Sequence, residues 1–378
     1  MNTRLAVLAL AAAALAACEP NRSLTSPAAA LQAARAADVS AGVSDPGAVY
    51  TLTNQIGGNA VAVFARGADG RLTAAGTVST GGTGTGASLG SQSAVTLSDD
   101  GRWLFAVNAG SNDVSVFSVS PAGLALASRT ASGGTLPISL TVHGNVLYVL
   151  NAGGTGNISG FAVGTSGALT AIAGATLALS GSNVGPAQVS FSPDGRRLVV
   201  TEKNTNQLDL YAVDANGVAS GPITTASAGG TPFGFSFGLR NELFVSEATG
   251  SASSYELDAT GSVSLVSGAV LTHQGAPCWA VVTNDGRIGF TGNGAGSVSA
   301  FTIAPDGAIS LVDANGGTAL IGAGINDIAL SHNSRYLYVL QTGGAQAIHA
   351  FRVEADGHLT PLGPIAGLPN GTRGLAAF

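Results

Sequence analysis

Two carboxylates stand where acid–base chemistry could be done. Each closes a β-like run: Glu202 ends RRLVVTE and Glu247 ends NELFVSE. Such a group serves as a general base when burial beside rings such as Phe233 or Trp279 raises its pKa towards neutrality. Arg373 is the cation that could hold a substrate carboxylate or a developing oxyanion. Plainer roles are open to the same residues: Glu202 could pair with Lys203 or cap a loop, and Arg373 could pair with Asp327. Cys278 follows His273 by five residues and could be a nucleophile, although a buried unpaired cysteine is more often a small apolar residue. His143, His332, His349 and His358 fall in turns or late strands and are weaker candidates. No His/Cys/Asp spacing suits zinc, and no haem-attachment, dinucleotide-binding or Walker A motif occurs. Neither a metal nor a cofactor is expected.

These residues sit in a repeat. The segments SAVTLSDDGRWLFAVN, SLTVHGNVLYVLN, QVSFSPDGRRLVVTE, GFSFGLRNELFVSE, WAVVTNDGRIGFTGN and DIALSHNSRYLYVLQ align on Val95, Leu140, Val189, Phe235, Ala280 and Ile328, spaced by 45, 49, 46, 45 and 48 residues. Apolar alternation, a polar turn and further alternation predict a β-hairpin. A second hairpin follows in each unit, with turns at Asp69-Gly70, Ala122-Gly123, Ser166-Gly167, Asn216-Gly217, Thr260-Gly261, Asp306-Gly307 and Asp356-Gly357. Four-stranded units of this length are β-propeller blades. Only three strands precede Val95, and Leu375 lies 47 residues after Ile328, where the next first strand is due. The expected fold is therefore all-β, a seven-bladed β-propeller whose C-terminal strand closes the N-terminal blade. The glycine-rich run Gly81–Gly86 joins two blades with no helix after it, so it reads as a flexible loop and not a phosphate cradle.

The 378 residues include 55 glycines, only 10% charged residues and a formal charge of −6. Abundant apolar residues exclude classical disorder, and the acidic balance argues against nucleic-acid binding. Met1–Arg4 and the apolar stretch Leu5–Ala17 form a secretory signal too short to span a bilayer. Its end, Leu15-Ala16-Ala17-Cys18, resembles a bacterial lipobox. The chain thus divides into a signal peptide (1–17), a tether (18–46) able to span about 30 Å and the propeller (47–378). A lipid anchor on Cys18 would hold the protein outside the cytoplasm on the cell envelope, at the outer membrane of a Gram-negative host; plain secretion is the alternative. Cys278 then has no intramolecular disulfide partner.

Turns such as Ser192-Pro193-Asp194-Gly195-Arg196 and strand ends such as Phe105-Ala106-Val107-Asn108 and Tyr148-Val149-Leu150-Asn151 resemble the seven-bladed lactonase propellers, which include 6-phosphogluconolactonases and carboxymuconate-lactonizing enzymes. The resemblance implies His, or Arg-His, at the start of a first strand and Glu at the end of a second. Here the first-strand starts read Pro186-Ala187-Gln188 and Pro232-Phe233-Gly234, so Glu202 and Glu247 match the carboxylate position alone. First-strand starts and second-strand ends share one mouth of the channel. Glu247, Glu202 and Arg373 are accordingly the expected catalytic groups, with Gln188, Phe233, Trp279, Asn326, Asp327, Asn108 and Asn151 lining the ligand. Amides and an aromatic ring suit a lactone, polyol or sugar, whereas a phosphorylated sugar wants several cations. Two functions follow: a hydrolase or binder of an unphosphorylated lactone or carbohydrate, and a non-catalytic surface scaffold for a protein or glycan partner. A quinone or metal dehydrogenase lacks its ligands here.

Overall fold

The computed structural model describes residues 47–258 and 261–378. Cys18, the signal peptide, the tether and Thr260 lie outside the described residues. Seven antiparallel sheets succeed one another along the chain. Their inner strands are Arg373–Ala377 (blade one), Val95–Leu97 (two), Pro137–His143 (three), Pro186–Phe191 (four), Pro232–Phe237 (five), Pro277–Val282 (six) and Ile325–Leu330 (seven). Blade one is closed as expected: Val49, Tyr50 and Thr51 pair with Ala377, Ala376 and Leu375. This seam joins both ends of the described chain and leaves no open edge there. Blade six departs from a plain meander. Its outer strand is broken into Ile309–Leu311 and Ala319–Leu320, both paired with Ser297–Ile303. The intervening chain turns out of the sheet where Gly316 N–H reaches the Asp313 carbonyl.

Alternating apolar residues of the second and third strands pack one sheet on the next. Phe244 of blade five meets Phe301 of blade six edge-on, 5.4 Å between centroids. Such a pair adds roughly 0.5–1.5 kcal/mol to simple burial. The hairpin glycines serve this packing as well as their turns. Gly70 has φ +83°, and a Cβ there would lie 2.3 Å from the Tyr336 ring, whose neighbour Tyr338 donates its hydroxyl to the Gly70 carbonyl. The S-P-D-G-R turn is held by two side chains: Asp194 accepts from Ser192 Oγ (2.6 Å) and Arg196 N–H (3.1 Å), and Ser192 Oγ accepts from Arg197 N–H (3.0 Å).

Candidate functional site: the central channel

The second-strand ends do not face the channel. Asn108, Asn151, Glu202, Glu247, Asn293 and Gln341 are all buried. Most of them clasp the third strand of their own blade. Asn108 Nδ2 donates to Ser115 Oγ (2.8 Å), Asn293 Nδ2 to Ser299 Oγ (2.8 Å), and Gln341 Oε1 meets His349 Nε2 at 2.9 Å. Asn151 instead donates to the Ser132 carbonyl in the loop leaving blade two.

Glu247 is the most heavily bonded of the set. It accepts from Ser251 Oγ (2.5 Å), Ser253 Oγ (2.6 Å), Gly229 N–H (2.7 Å) and Ser227 Oγ (3.0 Å). Glu202 accepts from Ser180 N–H and Oγ and from Thr205 Oγ1. In blade four the third-strand partner is an acid, Asp209. Burial first, then the hydrogen bond and charge of Glu202, push its carboxyl far up, to about 8. Asp209 is therefore held protonated at neutral pH, beside Glu202. The expectation that these glutamates and asparagines line a ligand is corrected: they are buried and bonded to loops and neighbouring strands, with Asn151 Oδ1 left without a partner among the described residues.

The mouth on which that expectation rested is plugged. The loop from Thr80 to Ser93 crosses it and is bonded to blades one, two, three, four and six, in contrast to the flexible linker its glycines suggest. Gly86 N–H bonds the Asn54 carbonyl of blade one, and Ser91 Oγ the Ile138 carbonyl of blade three. Lys203 Nζ of blade four holds the Gly90 carbonyl (2.5 Å) and lies 5.0 Å over the Phe233 ring. Trp279 Nε1 of blade six donates to the Ser91 carbonyl (3.0 Å), with its ring edge-on to Phe233. Lys203 thus bonds the plug and not Glu202. Its burial lowers the ammonium to about 8, and burial raises the Cys278 thiol to about 12. A thiol so held stays protonated at neutral pH, which removes it as a nucleophile.

Gln92 completes the plug. Elsewhere around the channel, one inner-strand side chain in a blade bonds the backbone of the next. Ser139 Oγ accepts Val189 N–H, Gln188 takes both N–H and C=O of Phe235, and Asp327 Oδ2 accepts Leu375 N–H. Blade five has Gly234 at this position. Gln92 fills the vacancy from across the channel, accepting Ala280 N–H (2.9 Å) and donating to its carbonyl (2.8 Å). A Cβ on Gly234 would stand 2.0 Å from Gln92 Oε1. Each Ala280 group left bare would cost about 1–3 kcal/mol.

The remaining predicted residues are also structural at this end. Asn326 and Arg373 both donate to Thr342 Oγ1, and Arg373 also to the Thr372 carbonyl. Asp327 is bonded to the Ile328 and Leu375 amides, so the Arg373–Asp327 pair is replaced by separate partners. Burial raises the Asp327 carboxyl well above the usual range and lowers Arg373. Of the predicted set, Gln188 alone reaches the channel cavity.

That cavity, about 620 Å³, runs from Gln92 and Gln188 to the turns between first and second strands. It ends among Asp99, His143, Pro193, Leu239, Asn284 and His332. Among the described residues, no lysine or arginine lines it. His143 Nδ1 faces Asp99 Oδ2 at 3.9 Å, and its ring packs 5.8 Å from Phe191. His332 stacks on Phe378 at 5.1 Å. Sequence reasoning put these histidines at the far end and passed over them. The signal that finds them is register: the inner-strand exit and its turn recur in every blade.

A family model described as "Lactonase, 7-bladed beta-propeller" matches residues 49–178. The fold is that of the lactonase propellers. A protein assigned as a 6-phosphogluconolactonase from Bacteroides fragilis superposes with TM-score 0.70 over 87% of this chain and 97% of its own, at 20% identity. The periplasmic gluconolactonase of Pseudomonas aeruginosa gives 0.68 over 88% and 98%, at 18% identity. A Lactobacillus plantarum protein gives 0.71 over 88% and 98%, at 17% identity. No curated protein matches the sequence. At these identities the likeness to solved lactonase propellers concerns the fold, and the activity has to be argued from the channel.

Proposed function

We propose that the protein binds an unphosphorylated lactone or sugar-like ring in the central channel, entered from the turn end, and opens it there by hydrolysis. The observation that carries this reading is the cavity itself: large enough for a small ring, lined by hydroxyls and amides together with apolar side chains, and without, among the described residues, the lysines or arginines a phosphate would need. The base available at its mouth is His143, with Asp99 Oδ2 3.9 Å from its Nδ1, and not Glu247. Water would add to the ring carbonyl as His143 takes its proton. The proton then passes to the departing ring oxygen, leaving a hydroxy acid.

The test is a panel of aldono-, alkyl- and aryl-lactones with the wild type, His143→Ala and Glu247→Gln. Expected is turnover that falls about 10²–10⁴-fold in His143→Ala and persists, per folded molecule, in Glu247→Gln. Loss in a folded Glu247→Gln would return the base to blade five. Saturable binding without turnover in every protein would make this a binding module. That second reading is favoured by the enclosure of Glu202 and Glu247.

We also propose that the propeller is presented outside the cytoplasm by a lipid on Cys18, for which the Leu15-Ala16-Ala17-Cys18 sequence is the support. Metabolic labelling with radioactive palmitate should mark the wild type and leave Cys18→Ser unlabelled. Equal absence of label in both would favour plain secretion.

A further inference from the structure

The channel wall is not the same on all sides or at all depths. One residue beyond the alignment positions, blades two to five present hydroxyls: Thr96, Thr141, Ser190 and Ser236. Blades six, seven and one present Val281, Ala329 and Ala376 at the same level. Thr141 Oγ1 already accepts Phe191 N–H, whereas Thr96 and Ser236 make no side-chain hydrogen bond among the described residues. One residue nearer the mouth the wall becomes an apolar collar, including Leu97, Val142, Phe191, Phe237, Val282 and Leu330. Beyond it stand the turn residues, with Leu239 and Pro193 continuing the apolar surface.

We propose that the ligand is an uncharged amphiphile: a lactone or sugar-like ring against the hydroxyl arc, carrying an alkyl or aryl tail that lies in the collar and points out of the turn end. This rests on the channel being the ligand site. The argument is complementarity at each depth. Deep in the cavity a ring with one polar edge meets hydroxyls on one side and methyl groups on the other. At the collar a polar ring alone would leave apolar wall against water, whereas a tail removes both surfaces from it. A tail with an anionic end gains nothing, because the described lining offers no lysine or arginine and Asp99 would repel it.

The experiment is calorimetric titration of the full chain with γ-butyrolactone, γ-hexalactone, γ-octalactone and γ-decalactone, alongside unsubstituted aldonolactones. Affinity should rise about two- to fourfold per methylene until the collar is filled. Phe237→Ser should flatten that rise while leaving the γ-butyrolactone affinity in place. Leu239→Ser, a change at a half-buried turn residue, should do so in part and serves if the Phe237 variant does not fold. Thr96→Val with Ser236→Ala should weaken every member by a similar factor. Equal affinity across the series, or a rise that Phe237→Ser and Leu239→Ser leave untouched, overturns the tail and keeps the ring site. Failure of every lactone to bind overturns the channel reading itself.

Discussion

Glu247→Ala should unfold at a much lower temperature than the wild type, losing about 3–5 kcal/mol. Four donors converge on this carboxylate, from Ser227, Gly229, Ser251 and Ser253. Together they tie the third strand of blade five to the loop that enters the blade from blade four. Truncation takes the acceptor from the half-buried Gly229 amide and Ser227 hydroxyl and from the buried hydroxyls of Ser251 and Ser253. Glu247→Gln keeps the shape and one acceptor oxygen, and the serine hydroxyls can turn to accept from its NH₂, so it should lose much less. Denaturant melts of both variants check this. A Glu247→Ala protein as stable as the wild type would show that the clasp contributes little. Blade five would then be free to use its carboxylate for chemistry.

The second large effect is on pH. Asp209 is raised from 3.8 to about 8 in the folded protein by burial and by Glu202. Between those values the native state holds a proton that the unfolded chain has released. Stability therefore falls as pH rises through this window and levels off above it. A tenfold change in proton affinity between folded and unfolded chain corresponds to about 1.4 kcal/mol. Asp209→Asn puts an amide N–H where the Asp209 carboxyl carries its proton and can donate to Glu202 without titrating. It should raise stability at pH 8 by about 2–4 kcal/mol and flatten the profile between about pH 4 and 8. Asp327, which burial also raises, adds the same slope to both proteins and cancels in the comparison. Parallel stability–pH curves for wild type and variant would mean that Asp209 is not held protonated in the folded protein.

The enclosed carboxylates and the plug have one physical theme. Propeller blades meet the channel edge-on, so their inner strands have backbone groups with no strand to pair with. Side chains such as Ser139, Gln188 and Asp327 satisfy some of these groups from the preceding blade, and Gln92 does so where Gly234 cannot. Bonds of this kind stiffen the mouth and close it. What stays open is the end where the inner strands run out into turns.

Blade count, closure by the C-terminal strand and the hairpin glycines were all legible in the sequence. They depend on periodicity and on local rules: a two-residue alternation and a positive φ at a fixed place. Even the placement of Glu202, Glu247, Asn108 and Asn151 at one end of the barrel followed from strand direction. What those side chains face did not follow. Direction along a strand says which end a residue occupies, while its partner comes from the next strand, the next blade or a crossing loop. Serines at 227, 251 and 253 surround Glu247, and an acid at 209 meets Glu202. Gln92 reaches a blade 188 residues away. The open mouth is likewise a tertiary fact, because a cavity is what packing leaves over. It belongs to no single repeat, and only when seven turns stand in a ring do Asp99, His143 and Leu239 share one rim.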